Sequence, residues 1–215
     1  MAEMTTIARR TLLLAAVAAV MAGPASAADK LVDLKKAFPY LETFLKLPAA
    51  ERSHFTPSYV FRQDGRPVTL AMWIVEGGMR TPLTLVEGRV QRLPTLAQLE
   101  GAKLLIATDQ KVTFNVVMDV VPTAPPAAEM DARDLAVAVV QAAAGVRKVA
   151  GPMAFMAPKI TEALFHGASG GEVRFADGRR APLPLEKGVP VFNPAKTQGA
   201  VAVRFARPPA WVELN

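Results

Sequence analysis

Gly78-Met-Arg-Thr-Pro-Leu-Thr-Leu-Val-Glu-Gly88 returns one hundred positions later as Gly178-Arg-Arg-Ala-Pro-Leu-Pro-Leu-Glu-Lys-Gly188. The two stretches run on to Pro94 and Pro194. Seven positions are identical at that offset without a gap: Gly78/Gly178, Arg80/Arg180, Pro82/Pro182, Leu83/Leu183, Leu85/Leu185, Gly88/Gly188 and Pro94/Pro194. Most of these are Gly or Pro, residues that set the path of the backbone rather than any chemistry. The pattern reads as one folding unit present twice. A rival register exists, because Asp64-Gly-Arg66 matches Asp177-Gly-Arg179 at another offset. The two registers exclude each other.

Outward from this stretch the chain reads as short strands. In the first copy, Tyr59-Val-Phe61 is a strand and Gln63-Asp-Gly65 a hairpin turn, Asp-Gly being a dipeptide that accepts the positive φ of a tight turn. Residues 67–75 form a strand with Val68, Leu70, Met72 and Ile74 on one face and Trp73 on the other. Gly77-Gly78 turns the chain. Segment 81–86 contains Pro82, which lacks a ladder donor and belongs at a sheet edge. Another strand lies within 101–108. The clearest is 111–121, where Val112, Phe114, Val116, Met118 and Val120 alternate with Thr113, Asn115, Val117, Asp119 and Val121. Such alternation describes one buried and one partly wet face. In the second copy, strands at 171–175 and 180–185 flank the turn Ala176-Asp-Gly178. Strands at 189–192, 200–205 (Val201, Val203 and Phe205 inward) and 211–214 follow.

Helical patterns precede both sets of strands. Residues 29–47 carry Leu34, Phe38, Leu41, Phe44 and Leu45 at helical spacing, with a break expected at Pro39. Pro48-Ala-Ala-Glu adds a further turn. After the connector, Asp131 is placed to cap a helix over 132–146, Ala- and Val-rich and therefore expected to be buried. Gly145 and Gly151-Pro152 punctuate it, and Pro152 can open a second helix through Met153, Phe155 and Met156. Helices followed by runs of strands give an α+β fold: two related units, each with helical segments leading into a short-stranded antiparallel sheet, packed as two domains or as one pseudo-symmetric body. The divisions are 1–27, an export signal; 28–121, the first unit; 122–130, a Pro-rich linker; and 131–215, the second unit.

Residues 1–27 have the three parts of a cleavable signal: Arg9-Arg10, the apolar run 11–23, and Ala25-Ser26-Ala27 as a small-residue cleavage site. The run is too short to span a bilayer. The alanine-rich character is bacterial, which places the product in the periplasm. The Arg pair also resembles a twin-arginine signal, but ordinary secretion explains the same letters. Removing Glu3, Arg9 and Arg10 turns 25 basic and 19 acidic residues into 23 and 18, a net charge of +5. The charges are scattered, so nucleic acid is not an expected partner. A small-molecule or anionic envelope ligand, or a protein partner, is compatible with them. No later segment has the length and apolarity to span a membrane.

The composition narrows the chemistry. There is no cysteine, which excludes disulfides and thiolate sites, and there are only two histidines, His54 and His166. No metal or cofactor motif is present. Gly167-Ala-Ser-Gly-Gly171 fits the pattern of a nucleophile elbow, with Ser169 as nucleophile and His166 beside it. The sequence that follows is a strand rather than a helix, and no histidine follows Ser169, so a mobile loop is the simpler reading. Arg80 and Arg180, equivalent in the repeat, could present two guanidinium groups to an anionic ligand, with Trp73 and Trp211 lining a groove. Each arginine could equally pair within its own unit. The leading expectation is a non-enzymatic periplasmic binding protein with a Met- and Val-rich apolar site between the units. A serine hydrolase and a structural or assembly role at the envelope are the alternatives.

Overall fold

The computed structural model describes residues 30–108 and 113–215. The export segment and the start of the 111–121 strand lie outside the described residues. In chain order the first half holds β1 (Lys30–Asp33), α1 (Leu34–Ala37), α2 (Leu41–Leu45), β2 (Phe55–Gln63), β3 (Arg66–Pro67), β4 (Met72–Glu76), β5 (Met79–Pro82), β6 (Leu85–Val86), β7 (Arg89–Val90), α3 (Leu96–Gly101), β8 (Lys103–Ile106) and β9 (Asn115–Pro122). The second half holds β10 (Glu129–Asp131), α4 (Ala132–Ala150), a 3-10 turn (Gly151–Met156), β11 (Ala163–His166), β12 (Glu172–Phe175), β13 (Arg180–Pro182), β14 (Leu185–Glu186), β15 (Val189–Phe192), β16 (Ala200–Arg204) and β17 (Trp211–Leu214). With about 24% helix and 38% strand in antiparallel sheets, the chain is α+β.

Among the described residues the strands form four sheets. Two have the orders β1-β8-β4-β5 and β10-β16-β12-β13. The others run β6-β7-β2, with β9 on the far side of β2, and β14-β15-β11-β17; β3 extends the first of these beside β2. Two hairpins are built alike. Leu85 and Val86 face Val90 and Arg89, and one hundred positions on Leu185 and Glu186 face Pro190 and Val189. Their turns place Glu87-Gly88 and Lys187-Gly188 at positive φ, near 50° and then 77–83°. Two successive positive φ angles match the twist of a hairpin, and glycine accepts the second without strain. Asp64-Gly65 makes the same kind of turn between β2 and β3, as expected from its letters.

The core is one cluster running from Leu34 to Leu214. Phe38 meets Tyr59 and Phe61 edge to face, with ring centroids 5.1 and 5.8 Å apart. On the other side Phe165 and Phe205 pack at 4.6 Å. These separations are those of favourable aromatic pairs.

Several expectations require correction. Residues 30–33 are strand rather than helix, held by β8 over the pairs Lys30↔Ile106 to Asp33↔Lys103. Helix is confined to 34–37 and 41–45, interrupted at Pro39 as foreseen, with Tyr40 at φ 64°. Such short helices are marginal alone, so tertiary pairing decides their ends. Segment 67–75 is not one strand. Arg66–Pro67 belongs with β2 and Met72–Glu76 with β8, and the chain crosses between sheets in the gap. β9 does not bury one clean face: Met118 and Val117 are both exposed, because within the described residues its ladder is with β2 alone. α4 continues through Gly145 to Ala150. The expected second helix is a 3-10 turn with its apolar side chains outside, Phe155 being 82% exposed.

Candidate functional site

α4 starts where the sequence indicated. The Asp131 carboxylate accepts from the amides of Arg133 (2.7 Å) and Asp134 (3.2 Å), partnering two donors at the helix start. The helix then crosses from the second half onto β2 of the first. Gly145 faces the Phe55 ring so closely that a Cβ there would collide with it. A residue expected to end the helix is instead the point of closest approach. One turn earlier, the Gln141 side chain donates to the Ala50 carbonyl (3.0 Å) and accepts from the His54 amide (3.0 Å). One turn later, Lys148 pairs with Glu51 at 2.6 Å.

Beyond this clamp, a cavity of about 340 Å³ lies between α4, the Gly151–Met156 turn and the β2–β9 ladder. Its walls come equally from both halves. Phe55, Pro57 and Tyr59 alternate along β2, and Met118 and Val120 stand opposite Tyr59 and Pro57 on β9. The period of two places all five on one face. Val146, Val149, Ala150 and Met153 face them at helical spacing, with Tyr40, Phe44, Met156, Ala157 and Pro158 closing the ends. No wall residue is charged. The Tyr59 hydroxyl is already used, donating to the Pro39 carbonyl at 2.6 Å, and burial pushes its pKa above the usual phenol value. Two Met side chains in the wall come from the helical side and one from the strands, and flexible thioethers adapt to varied apolar shapes.

A second constellation joins the halves. Trp211 lies parallel to His166, ring centroids 4.0 Å apart and planes 4° from parallel. The Arg89 guanidinium sits 4.3 Å from the Trp211 ring. His166 Nε2 and Glu213 Oε2 are 2.7 Å apart, and Arg89 pairs with Asp119 at 3.2 Å and also donates to the Ser58 hydroxyl. β-strand register explains the set: His166 stands opposite Trp211, and Glu213 is two residues along on the same face.

The residues singled out from sequence are dispersed. Ser169 lies in the loop between β11 and β12, with strand on both sides and no helix behind it. His166 is engaged by Trp211 and Glu213 instead. Arg80 and Arg180 stand on β5 and β13, the outer strands of two different sheets. Arg180 pairs with Glu172 at 3.2 Å across β12–β13. It borders a shallow cleft with Ser169 and Arg204 that does not include Arg80. In that cleft Arg204 is matched by Glu129 at 2.9 Å. Trp73 is half-buried on β4, opposite Pro82 and Leu105. Trp211 joins the side-chain cluster that links the two halves.

None of the residues assigned to a site from sequence lines the apolar cavity. Sequence reading also missed Arg89, Asp119 and Glu213, whose ionic partners lie 30 to 47 positions away. The available signal was the face of β2 and β9, had the register been known. Among the described residues no group of three His, Asp or Glu is arranged to hold a metal ion, and no helix is long and apolar enough to cross a membrane. Nothing among protein-family models, curated protein sequences or solved structures matches the chain.

Proposed function

We propose that this chain is an exported, non-enzymatic binding protein of the bacterial periplasm that takes a small apolar ligand in the cavity between α4 and the β2–β9 ladder. One observation carries the reading: a wall of uncharged side chains, contributed by both halves, around a volume in the range of small-molecule sites (roughly 300–1,000 Å³). The exposed Met153, Phe155 and Met156 at its border support it, since a cluster of large apolar side chains left in water marks a contact surface. A neutral naphthylamine dye tests it. Saturable binding with blue-shifted emission is expected, and Ala150→Trp, which fills the cavity, should abolish it while leaving the circular dichroism unchanged. Binding that does not saturate, or that survives Ala150→Trp, overturns the reading.

We also propose that residues 28–121 and 131–215 are two copies of one unit. The matching sheet orders and the paired hairpins at an offset of one hundred support this. Superposition of the strands in an experimental structure tests it, and a best fit at another offset would count against it. Amino-terminal sequencing of the exported protein should begin at Ala28. An intact amino terminus would count against a cleaved signal.

A further inference from the structure

We infer that the ligand of the apolar cavity is an amphiphile with an anionic head group, its chain lying along the cavity and its head held at a cationic rim. The inference rests on the binding reading above and names the chemical class of ligand. The interior offers a charged group nothing: no wall residue is ionic, and the deepest hydroxyl, on Tyr59, is committed to the Pro39 carbonyl. A charged head must therefore remain at the mouth, because a charge moved into such a wall without a partner is strongly disfavoured.

The ionic side chains next to the wall are mostly positive. Arg147 and Lys148 are exposed on α4 between the wall residues Val146 and Val149, and Lys159 is exposed immediately after Pro158. Arg52 holds its guanidinium 5.6 Å from the Phe44 ring. Glu51 and Asp119, the latter between the wall residues Met118 and Val120, are the carboxylates in this group and are occupied by Lys148 and Arg89. Glu42, on the neighbouring α2, is likewise held by Lys46 (2.7 Å) and Lys35 (3.0 Å), whose hydrogen bonds keep its pKa below the usual carboxylate range. Basic residues in the last turn of α4 also complement the carbonyl end of the helix. That role does not account for Arg52 or Lys159, which lie outside it. The ionic residues that adjoin the wall residues in the chain thus carry excess positive charge, and guanidinium and ammonium groups suit a carboxylate or phosphate head.

The test is displacement of a neutral naphthylamine dye from the full-length protein by decanoate, decanol and decyltrimethylammonium, matched in chain and differing in head. Decanoate should displace the dye at about a tenfold lower concentration than either of the others, and added salt should narrow the gap. Arg147→Gln with Lys159→Gln should remove the preference. Arg147→Glu with Lys159→Glu should transfer it to the cation. Both pairs are exposed, and retained dye binding shows that they have folded. Equal displacement by all three amphiphiles overturns the head-group inference while leaving apolar binding in place. Failure of the dye itself to bind overturns both.

Discussion

The β6-β7-β2-β9 and β14-β15-β11-β17 sheets have the same order and different surroundings. Each turns an aromatic ring into the core, Tyr59 from β2 and Phe165 from β11, both 0% exposed. Each is fed by a hairpin with its tight turn at a Gly two residues after an identical Leu-x pair. Yet the β2–β9 ladder extends over eight pairs, from Phe55↔Pro122 to Arg62↔Asn115, and offers part of one face to the cavity. The β11–β17 ladder has four pairs, and its outer face is closed by the stacked His166 and Trp211. Backbone order follows from turns and prolines, which recur. What each sheet does with its outer face follows from side chains that do not.

The comparison fails first if the two aromatic rings are not equivalent. Tyr59→Ala and Phe165→Ala should each cost about 3–5 kcal/mol in urea denaturation. A loss at one position and little at the other would separate the sheets as structural counterparts. Gly145→Ala should be next, at about 1–3 kcal/mol, because the new methyl would push the Phe55 ring out of a packed position. Dye affinity should fall with it, since Phe55 is part of the cavity wall. A neutral outcome would mean that α4 sits less tightly on β2 than described.

Arg89→Ala removes one side of the Trp211 stack and leaves Asp119, only 14% exposed, without its ion-pair partner. A cost of about 1–3 kcal/mol is expected. The cavity lies on the opposite face of the same β2–β9 ladder, so dye binding should hold, and its loss would link the two faces. The smallest effect should be that of Tyr59→Phe, about 1 kcal/mol at neutral pH for the bond to Pro39. It also has a pH signature. Burial raises the folded-state pKa of Tyr59 above 10.0, so the neutral phenol stabilises the fold below that pH. The wild-type protein should lose stability faster than the variant as pH rises beyond 10, approaching about 1.4 kcal/mol per pH unit. Parallel curves would contradict the burial of the hydroxyl.

Local letters conveyed the turns well. Asp64-Gly65, Gly77-Gly78, Gly178 and Gly188 all stand where the chain reverses, at positive φ. The helix cap at Asp131 was readable for the same reason, since its partners are two and three residues away. Long-range pairing was not readable. Lys30–Asp33 looks like the start of a helix until β8, some seventy residues on, takes it as a strand. Gly145 looks like a helix stop until Phe55, ninety residues earlier, occupies the space that a side chain would need. The candidate site suffered most, because half its wall is a strand face and half a helix face, and nothing local sets one against the other. Trp211 was named from sequence, but its neighbours Arg89 and His166 come from separate sheets.

The repeated Gly-x-Arg-x-Pro-Leu stretch gains a meaning from its position. β5 and β13 end their sheets, and the outer side of such a strand is a template on which another chain can grow. Pro82 and Pro182 close each strand with a residue that has no amide hydrogen to offer, and Arg80 and Arg180 place a like charge on each rim. Another chain meeting either edge would find a ladder with a missing rung. At β5 and β13 alike, the shared proline leaves the exposed edge one donor short, which gives it a structural reason in each half.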